Sequence, residues 1–137
     1  MPYMYYYVCY DYYIPASLEK ITINDVVHNE AFKNCGNLTS VVIGDGVTAV
    51  GDSAFDGCSK LTSVTFAEGS QLSSIGKGAF NNCFKLETVY YTGTANDWNG
   101  ISIDDRNSDL TNVTRYYYSE TNVAGCWHYV DGKPTLW

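Results

Sequence analysis

Three segments of this chain repeat one spacing of apolar residues, and this repetition restricts the possible folds more than any other feature of the sequence. Residues 31–43, 54–66 and 79–91 each read Ala-Phe-x-x-Cys-x-x-Leu-x-x-Val, while the positions between these letters vary. A branched residue also recurs upstream of each copy, at Val27, Val50 and Ile75. Self-similarity with a period in the twenties predicts a solenoid, in which each coil buries its apolar side against its neighbours.

The repeat also predicts which residues face the core. Partial copies begin at Leu18 and Leu110, so we predict five parallel strands, near residues 20–24, 40–44, 63–67, 88–92 and 112–117. Because side chains alternate along a strand, Val41 and Ile43 should point inward and Val42 outward. A Gly-Asp-Ser turn at residues 51–53 should lead into one helical or 3₁₀ turn. The repeated Phe should fill the hub of each coil.

The segment IGDGVTAVGDSAFDGCSKLTSVTF, residues 43–66, resembles the leucine-rich repeats of the bacterial BspA-like class. The resemblance covers about residues 14–92, and the stretches at 89–98 and 127–137 resemble the closing segment of such proteins. It implies an α/β repeat solenoid: a right-handed superhelix with a parallel sheet on its concave face and short helical or 3₁₀ turns on the convex side. It also implies a cell-surface or secreted bacterial protein that binds host or extracellular-matrix proteins, without catalysis or cofactors.

These patterns predict a single domain over residues 1–137. Residues 1–17, where seven of the 13 tyrosines lie, form an N-terminal cap or a contact surface. Residues 18–92 form the coils, and residues 93–137 form a C-terminal cap. In that cap Thr94 should begin a short helix that carries Trp98 onto the core, and Asp131-Gly132 should form the type I′ turn of a terminal hairpin. We expect Trp127, Tyr129, Leu136 and Trp137 of the hairpin to cover the open end of the last coil.

Composition excludes several classes of function. A net charge of −7 argues against nucleic acid and against an anionic membrane face. No apolar run approaches the ~20 residues that span a bilayer, so we expect no membrane insertion. The N-terminal residues lack the basic and apolar regions of a signal peptide, and an export signal is therefore not expected within this sequence.

The five cysteines predict structural thiols rather than a metal or redox site. Cys35, Cys58 and Cys83 occupy one equivalent position of the repeat and should line up in a file within the apolar layer, where a thiol behaves as a small hydrophobe. The sequence has no CxxC or HxxxH pair to supply a zinc site. Cys9 and Cys126 lie outside the file, and the sequence leaves open whether they pair.

Two further motifs could suggest catalytic or metal-binding residues but are better explained as parts of the structure. Cys126 and His128 share a face of a predicted strand, but no third group orients them as a nucleophile and base would need. Asp105, Asn107 and Asp109 match the start of a calcium loop, but the glycine and the terminal glutamate of such a loop are missing, which favours a solvated polar turn. We therefore predict no catalytic residue and no metal site.

The candidate binding site is the outward row of the sheet, because the concave face is where solenoids usually bind. This protein-binding row consists of Thr22, Val42, Thr65 and Tyr90, continued by Arg115, with Asn24 and Thr92 beside it toward the next turn. A glycan-binding hypothesis requires two of Tyr90, Trp98, Tyr116, Tyr118 and Trp127 to be exposed side by side. Two further hypotheses are a structural end piece of a longer array and a hydrolase built on His28 or His128. The aromatic ends would also permit self-association.

Overall fold

Every repeat of the sequence forms one coil, and each coil contributes one strand to a curled sheet. The computed structural model describes residues 3–4 and 18–137. In that part of the chain, the elements are β1 (Tyr3–Met4), β2 (Lys20–Ile23), β3 (Ser40–Ile43), β4 (Ala49–Val50), β5 (Ser63–Phe66), β6 (Ser74–Ile75), β7 (Thr88–Tyr91), α1 (Ala95–Asn99), β8 (Ser102–Ile103), α2 (Ser108–Thr111), β9 (Thr114–Tyr118), β10 (Cys126–Val130) and β11 (Lys133–Leu136). The predicted N-terminal cap, apart from β1, lies outside the described residues.

The main sheet has the strand order β1-β2-β3-β5-β7-β9-β10-β11, and all its pairs are parallel except β10 with β11. The five predicted strands are confirmed as β2, β3, β5, β7 and β9. Val41, Val64 and Val89 pair in register and are buried, as the repeat predicts. The predicted repeat solenoid is therefore confirmed. The boundaries of its caps at residues 17 and 93 stay a prediction.

The register of β9 differs from the repeat. Val89 pairs with Arg115 and Tyr90 with Tyr116, so the outward row continues at Tyr116 and the expectation that Arg115 belongs to it is wrong. Helix α2 contains Leu110, and β9 begins four residues after this Leu instead of two as in β5 and β7. A delay of two residues preserves the alternation of faces, so Arg115, two residues after Val113, lies on the inner side. Arg115 instead points to the core side, where its guanidinium lies 4.6 Å from the centre of the Trp98 ring, a cation–π contact.

A second sheet, which the sequence did not predict, forms from β4, β6 and β8. It begins at the recurring branched residues, because Val27 bridges Val50 and Val50 pairs with Ile75. Gly51 follows Val50 and Gly76 follows Ile75, and both glycines are required because adjacent coils approach each other closely there. A Cβ on Gly51 would lie 2.5 Å from the backbone nitrogen of Asn29.

The hub of the coils is a stack of phenylalanine rings. The centres of Phe32 and Phe55 are 5.4 Å apart, those of Phe55 and Phe80 are 5.1 Å apart, and all three rings are buried. Successive Phe and Ala backbones join the coils, since the Phe32 N–H donates to Ala54 O at 2.7 Å. The Phe positions of the repeat therefore build one continuous column.

The predicted file of thiols runs beside this column and is confirmed. The Cys58 thiol donates to Phe32 O and the Cys83 thiol to Phe55 O, each at 3.3 Å. Cys35, Cys58, Cys83 and Cys126 are free thiols, and Cys9 lies outside the described residues. Burial raises the pKa of all three thiols of the file, and that of Cys83 reaches about 12.

The convex side consists of separate tight turns. The Asp56 N–H donates to Ser53 O and the Asn81 N–H to Gly78 O, an i→i+3 pattern. Residues with positive φ stand two before and two after each hub Phe, namely Glu30 and Asn34, Ser53 and Gly57, and Gly78 and Asn82. Because left-handed residues interrupt the chain at this period, no turn extends into a helix.

The predicted helix after the coils is confirmed as α1. Thr94 Oγ1 accepts from the Asp97 N–H at 3.2 Å, and Asp97 Oδ2 accepts from the Thr94 N–H at 2.8 Å, which is a capping box. The helix buries Trp98 against Phe66 and Tyr91, at ring distances of 5.6 and 5.3 Å.

Candidate binding groove on the concave face

The C-terminal hairpin of β10 and β11 forms one wall of the candidate site. The φ angles of Asp131 and Gly132 are 50° and 76°, as a type I′ turn requires, so the predicted hairpin is confirmed. Strand β10 pairs with β9 and extends the main sheet past the last coil, and the role of the hairpin as a cap stays a prediction. Tyr129, Leu136 and Trp137, which were expected to cover the end of the last coil, remain exposed.

Trp127 holds the hairpin on the concave face. It pairs with Tyr118 and therefore shares the face of Tyr90 and Tyr116. Its ring is fully buried, and its Nε1 donates to Tyr91 O at 3.0 Å. Ring contacts at 4.9 to 5.4 Å complete an aromatic cluster of Tyr90, Tyr118, Trp127 and Tyr129. A buried tryptophan with its N–H satisfied is a strong local anchor.

The hairpin bends back over the first strands of the sheet and leaves a groove beneath it. Two adjoining cavities of about 450 and 420 Å³ lie there and share six lining residues: Lys20, Ser40, Val42 and Thr65 from the sheet, and Gly132 and Pro134 from the hairpin. We call this space the concave groove. The sheet forms its floor, and the tip of the hairpin forms its roof.

Four of the six predicted site residues belong to this groove. Val42 and Thr65 line both cavities, whereas Thr22 and Tyr90 each line one. Thr65 is only 4% exposed, so it lies at the bottom of the floor.

The remaining two predicted residues lie outside the groove. Asn24 is exposed, and its side chain lies against Gly44, where a Cβ would collide with it. Thr92 uses its hydroxyl within the protein, because Oγ1 donates to Ala67 O at 2.7 Å. Whether any residue of the predicted row contacts a partner stays a prediction.

Sequence reasoning missed some residues of the floor and all residues of the roof of the groove. Ser40 and Ser63 face the groove from positions two residues before Val42 and Thr65, and Lys20 occupies the same position on β2. Extending the period-2 alternation one step toward the start of each strand would have found them. The roof residues Lys133 and Pro134 had no local signal, because their position depends on how the hairpin packs.

The groove differs in charge from the protein as a whole. Among the described residues that line its two cavities, Lys20 and Lys133 are basic and none is acidic. Burial, with the neighbouring Tyr116, raises the pKa of Tyr90, and burial, with Tyr118 and Glu68, raises that of Tyr129. Both phenols are therefore neutral at physiological pH and keep their hydroxyl protons as donors.

His128 and Asn107, which belong to the two motifs that the sequence analysis set aside as a dyad and a calcium loop, are engaged in structural contacts. The ring of His128 stacks on Trp137 at 3.5 Å. Asn107, which we expected in a solvated turn, is instead buried. Its Oδ1 accepts from the Phe80 N–H at 3.0 Å, and its Nδ2 donates to Gly76 O and Asp104 O at 2.9 Å. In the part of the chain that the structure describes, no group of three or more His, Cys, Asp and Glu side chains is arranged to hold a metal ion.

The requirement for the glycan-binding hypothesis is met only in part. Trp98 and Trp127 are buried, while Tyr90, Tyr116 and Tyr118 are half-buried. Tyr90 and Tyr116 do lie side by side, with their rings stacked at 6.1 Å. Tyr90 also packs edge-on against Trp127, so one part of its surface is occupied by the protein itself.

In-register coils, a hub of stacked Phe and a curled parallel sheet define a leucine-rich-repeat solenoid. Within that class, residues 25–122 match the BspA type leucine rich repeat region in six copies, and the chain belongs to that family. Leucine-rich-repeat domains generally mediate protein interactions, and the fold is typically non-catalytic.

Two solved bacterial structures are similar to the chain. A leucine rich repeat protein of T. pallidum is 20% identical, with a TM-score of 0.39, and the match covers 63% of this chain and 51% of that one. A leucine rich cell surface protein of Faecalibacterium prausnitzii is 23% identical, with a TM-score of 0.34, over 66% of this chain and 37% of that one. The chain thus spans about half the length of the T. pallidum protein and about a third of the length of the F. prausnitzii protein. No curated protein matches it significantly. Among the described residues, no helix is long and apolar enough to cross a membrane.

Proposed function

We propose that this chain is a non-enzymatic protein-binding domain of a bacterial cell-surface or secreted protein, and that it binds in the concave groove. The observation that carries the proposal is the two-walled groove itself, with strand side chains below and the hairpin above. Concave clefts of this kind bury more of a ligand than a flat surface does.

The family supports an adhesin-type role, in which the partner is a host or extracellular-matrix protein. The floor of the groove suits a protein partner, because Val42, Thr65 and Ser40 are small and uncharged and leave room for another chain. Tyr90 and Tyr129 add aromatic area with few rotatable bonds at the edge of the groove, which is a common property of protein-binding surfaces.

The proposal is tested by filling the groove. Val42 is half-buried at the floor, and Val42→Trp should occupy the space from within the protein. In a screen of matrix proteins and of a glycan array with the full chain, we expect a protein ligand whose affinity falls at least about tenfold in this variant, roughly 1.4 kcal/mol. Val123→Trp is the matched control, because Val123 is 46% exposed in the loop before β10.

Three outcomes would contradict the proposal. A protein ligand that binds both tryptophan variants equally would place its site elsewhere. Binding of glycans alone would favour the sugar-binding hypothesis, and the absence of any ligand would favour a structural end piece. Circular dichroism and the melting temperature of Val42→Trp establish that the coils are intact, and sedimentation separates ligand binding from self-association.

A further inference from the structure

We propose that the occupant of the concave groove is an extended acidic peptide segment of the protein partner, with a carboxylate held between Lys20 and Lys133. This inference rests on the proposed function and goes beyond it, because it names the chemistry of the partner. It is carried by the charge of the groove and by the side chains of its floor and roof.

The lining of the concave groove is basic although the chain as a whole is acidic. The chain has a net charge of −7, yet the 450 Å³ cavity is lined by Lys20 on the floor and Lys133 on the hairpin, and by no acidic residue among those that the structure describes. Both lysines border this one cavity, and an anion bound between two cationic side chains is attracted by both. The two lysines come from opposite ends of the sheet, so the fold of the hairpin brings them together.

Among the described residues, three acidic ones adjoin this region without lining either cavity: Glu19 precedes Lys20, Asp131 precedes Gly132 at the tip of the hairpin, and Glu68 acts on Tyr129. The charge of Glu68 contributes to the raised pKa of Tyr129, and Tyr129 lines only the 420 Å³ cavity. Glu68 itself is exposed and does not line either cavity. The cavity that contains both lysines is therefore the one where a carboxylate would bind.

The pairing of the strands beneath the groove restricts how an occupant can bind. The strands below the groove, β2, β3 and β5, are each paired on both sides, so their backbone cannot add a further strand. The edge strand β11 contains Pro134, which has no N–H to donate. Recognition over the floor of the groove therefore uses side chains, and the hydroxyls of Ser40, Ser63 and Thr65 can each donate to and accept from the amides of an extended chain.

The side chains of the groove favour a peptide over a sugar as the ligand. Sugar rings bind on open aromatic faces, whereas Trp127 is fully buried and its ring packs against Tyr90, Tyr118 and Tyr129. The shared lining of the groove consists of small hydroxyl, aliphatic, proline and glycine residues and one lysine. Such a lining accommodates the thin backbone of an extended peptide.

The test uses short synthetic peptides of Ser, Thr, Val and Gly with Asp or Glu at the centre, and matched peptides with Asn or Gln in the same places. Fluorescence anisotropy measures their binding to the full chain. We expect the acidic peptides to bind about fivefold more tightly than their amide counterparts at low salt, with the difference shrinking as salt is raised.

The lysine variants locate the effect. Lys20→Met and Lys133→Met should each bring the ratio of the affinities for the acidic and the amide peptide, measured in the same variant, close to one, and Lys133→Arg should retain the preference. Lys85→Met is the matched control, because Lys85 is exposed and does not line either cavity of the groove. This variant should keep the full preference.

The outcomes separate this inference from the proposed function. If both classes of peptide bind equally and Val42→Trp abolishes both, the acidic preference is overturned and the groove remains a protein-binding site. If no peptide and no protein binds in a manner sensitive to Val42→Trp, both are overturned. If heparin binds more tightly than any peptide and loses affinity in the lysine variants, the occupant is a sulfated polysaccharide and the peptide inference is overturned.

Discussion

The coils and the terminal segment that follows them solve the same problem in different ways. In the coils, the N–H of a hub Phe donates to the carbonyl of the Ala that precedes the hub Phe of the next coil: the Phe32 N–H donates to Ala54 O, and the Phe55 N–H donates to Ala79 O. Beyond Phe80 the partner is a side chain, because the Phe80 N–H donates to Asn107 Oδ1. At the hub, repetition therefore supplies the hydrogen bond between coils, and a single side chain supplies it where the terminal segment meets the last coil.

The same contrast holds for the apolar contacts. The coils stack identical rings of Phe32, Phe55 and Phe80 almost face to face, with interplanar angles of 7° and 16°. The buried tryptophans of the terminal segment, Trp98 and Trp127, pack edge-on against unlike rings, as Trp127 does against Tyr118 at 76°. The coils thus repeat one ring contact from neighbour to neighbour, whereas each contact of the terminal segment occurs once and involves its own residues. This difference predicts where single substitutions act and how far their effects spread.

The largest effect is expected at the centre of the stack. Phe55→Ala removes a fully buried ring that contacts another ring on each side, and the free energy of unfolding should fall by about 3–5 kcal/mol. Urea denaturation followed by circular dichroism measures the loss. Phe84→Ala is the control, because Phe84 is 73% exposed, and its effect should stay within about 0.5 kcal/mol. Equal losses in the two variants would contradict the role of the stack.

A smaller and more local effect is expected at Asn107. The change Asn107→Ala leaves the Phe80 N–H and the Gly76 carbonyl without their side-chain partner, which should cost about 2–3 kcal/mol. Hydrogen exchange measured by NMR should show that the Phe80 amide loses protection while the Phe32 and Phe55 amides keep theirs. Asn99→Ala, at an exposed position of α1, serves as the control. Uniform loss of protection along the whole solenoid would show that the terminal segment is not a separate closing structure.

The contrast between the two regions also explains how far the sequence could be interpreted. Val41, Val64 and Val89, like the Phe column, could be predicted because three copies of one pattern specify the same position. The register of β9 could not, because α2 adds residues where no copy remains for comparison. Asn107 carried no distinguishing signal either, since a buried cap and a solvated loop both use asparagine.

The candidate site was predictable on one wall only. The floor follows from strand alternation, which gave Val42 and Thr65 and, one step earlier, would have given Ser40. The roof depends on the contact of Trp127 with Tyr90, residues that are far apart in the sequence and share no pattern. Local periodicity therefore identifies the concave face, and tertiary packing decides how much of it is open.

The smallest effect concerns the thiols, which also differ between the two regions. Cys58 and Cys83 are buried and donate to hub carbonyls, whereas Cys126 of β10 is half-buried. At pH 8 iodoacetamide should label Cys126 before Cys58 and Cys83, as mass spectrometry of the peptides can show. Labelling of Cys83 ahead of Cys126 would mean that the coils open before the hairpin does.

The raised thiol pKa values also set a pH dependence of stability. Burial raises the pKa of Cys58, and raises that of Cys83 to about 12 from the ordinary 9.0. The stabilisation is therefore complete below pH 9 and declines toward pH 12, because the unfolded chain loses its thiol protons first. Between pH 8 and pH 10 each thiol should account for a loss of about 1 kcal/mol. Tyr90, Tyr91 and Tyr129, whose pKa values burial also raises, add to the loss near pH 10, and comparison of variants that keep these tyrosines separates the part due to the thiols. The double variant Cys58→Ala/Cys83→Ala should flatten the urea midpoint against pH, and Cys126→Ala should leave the slope as steep as before; the reverse pattern would assign the titration to the hairpin.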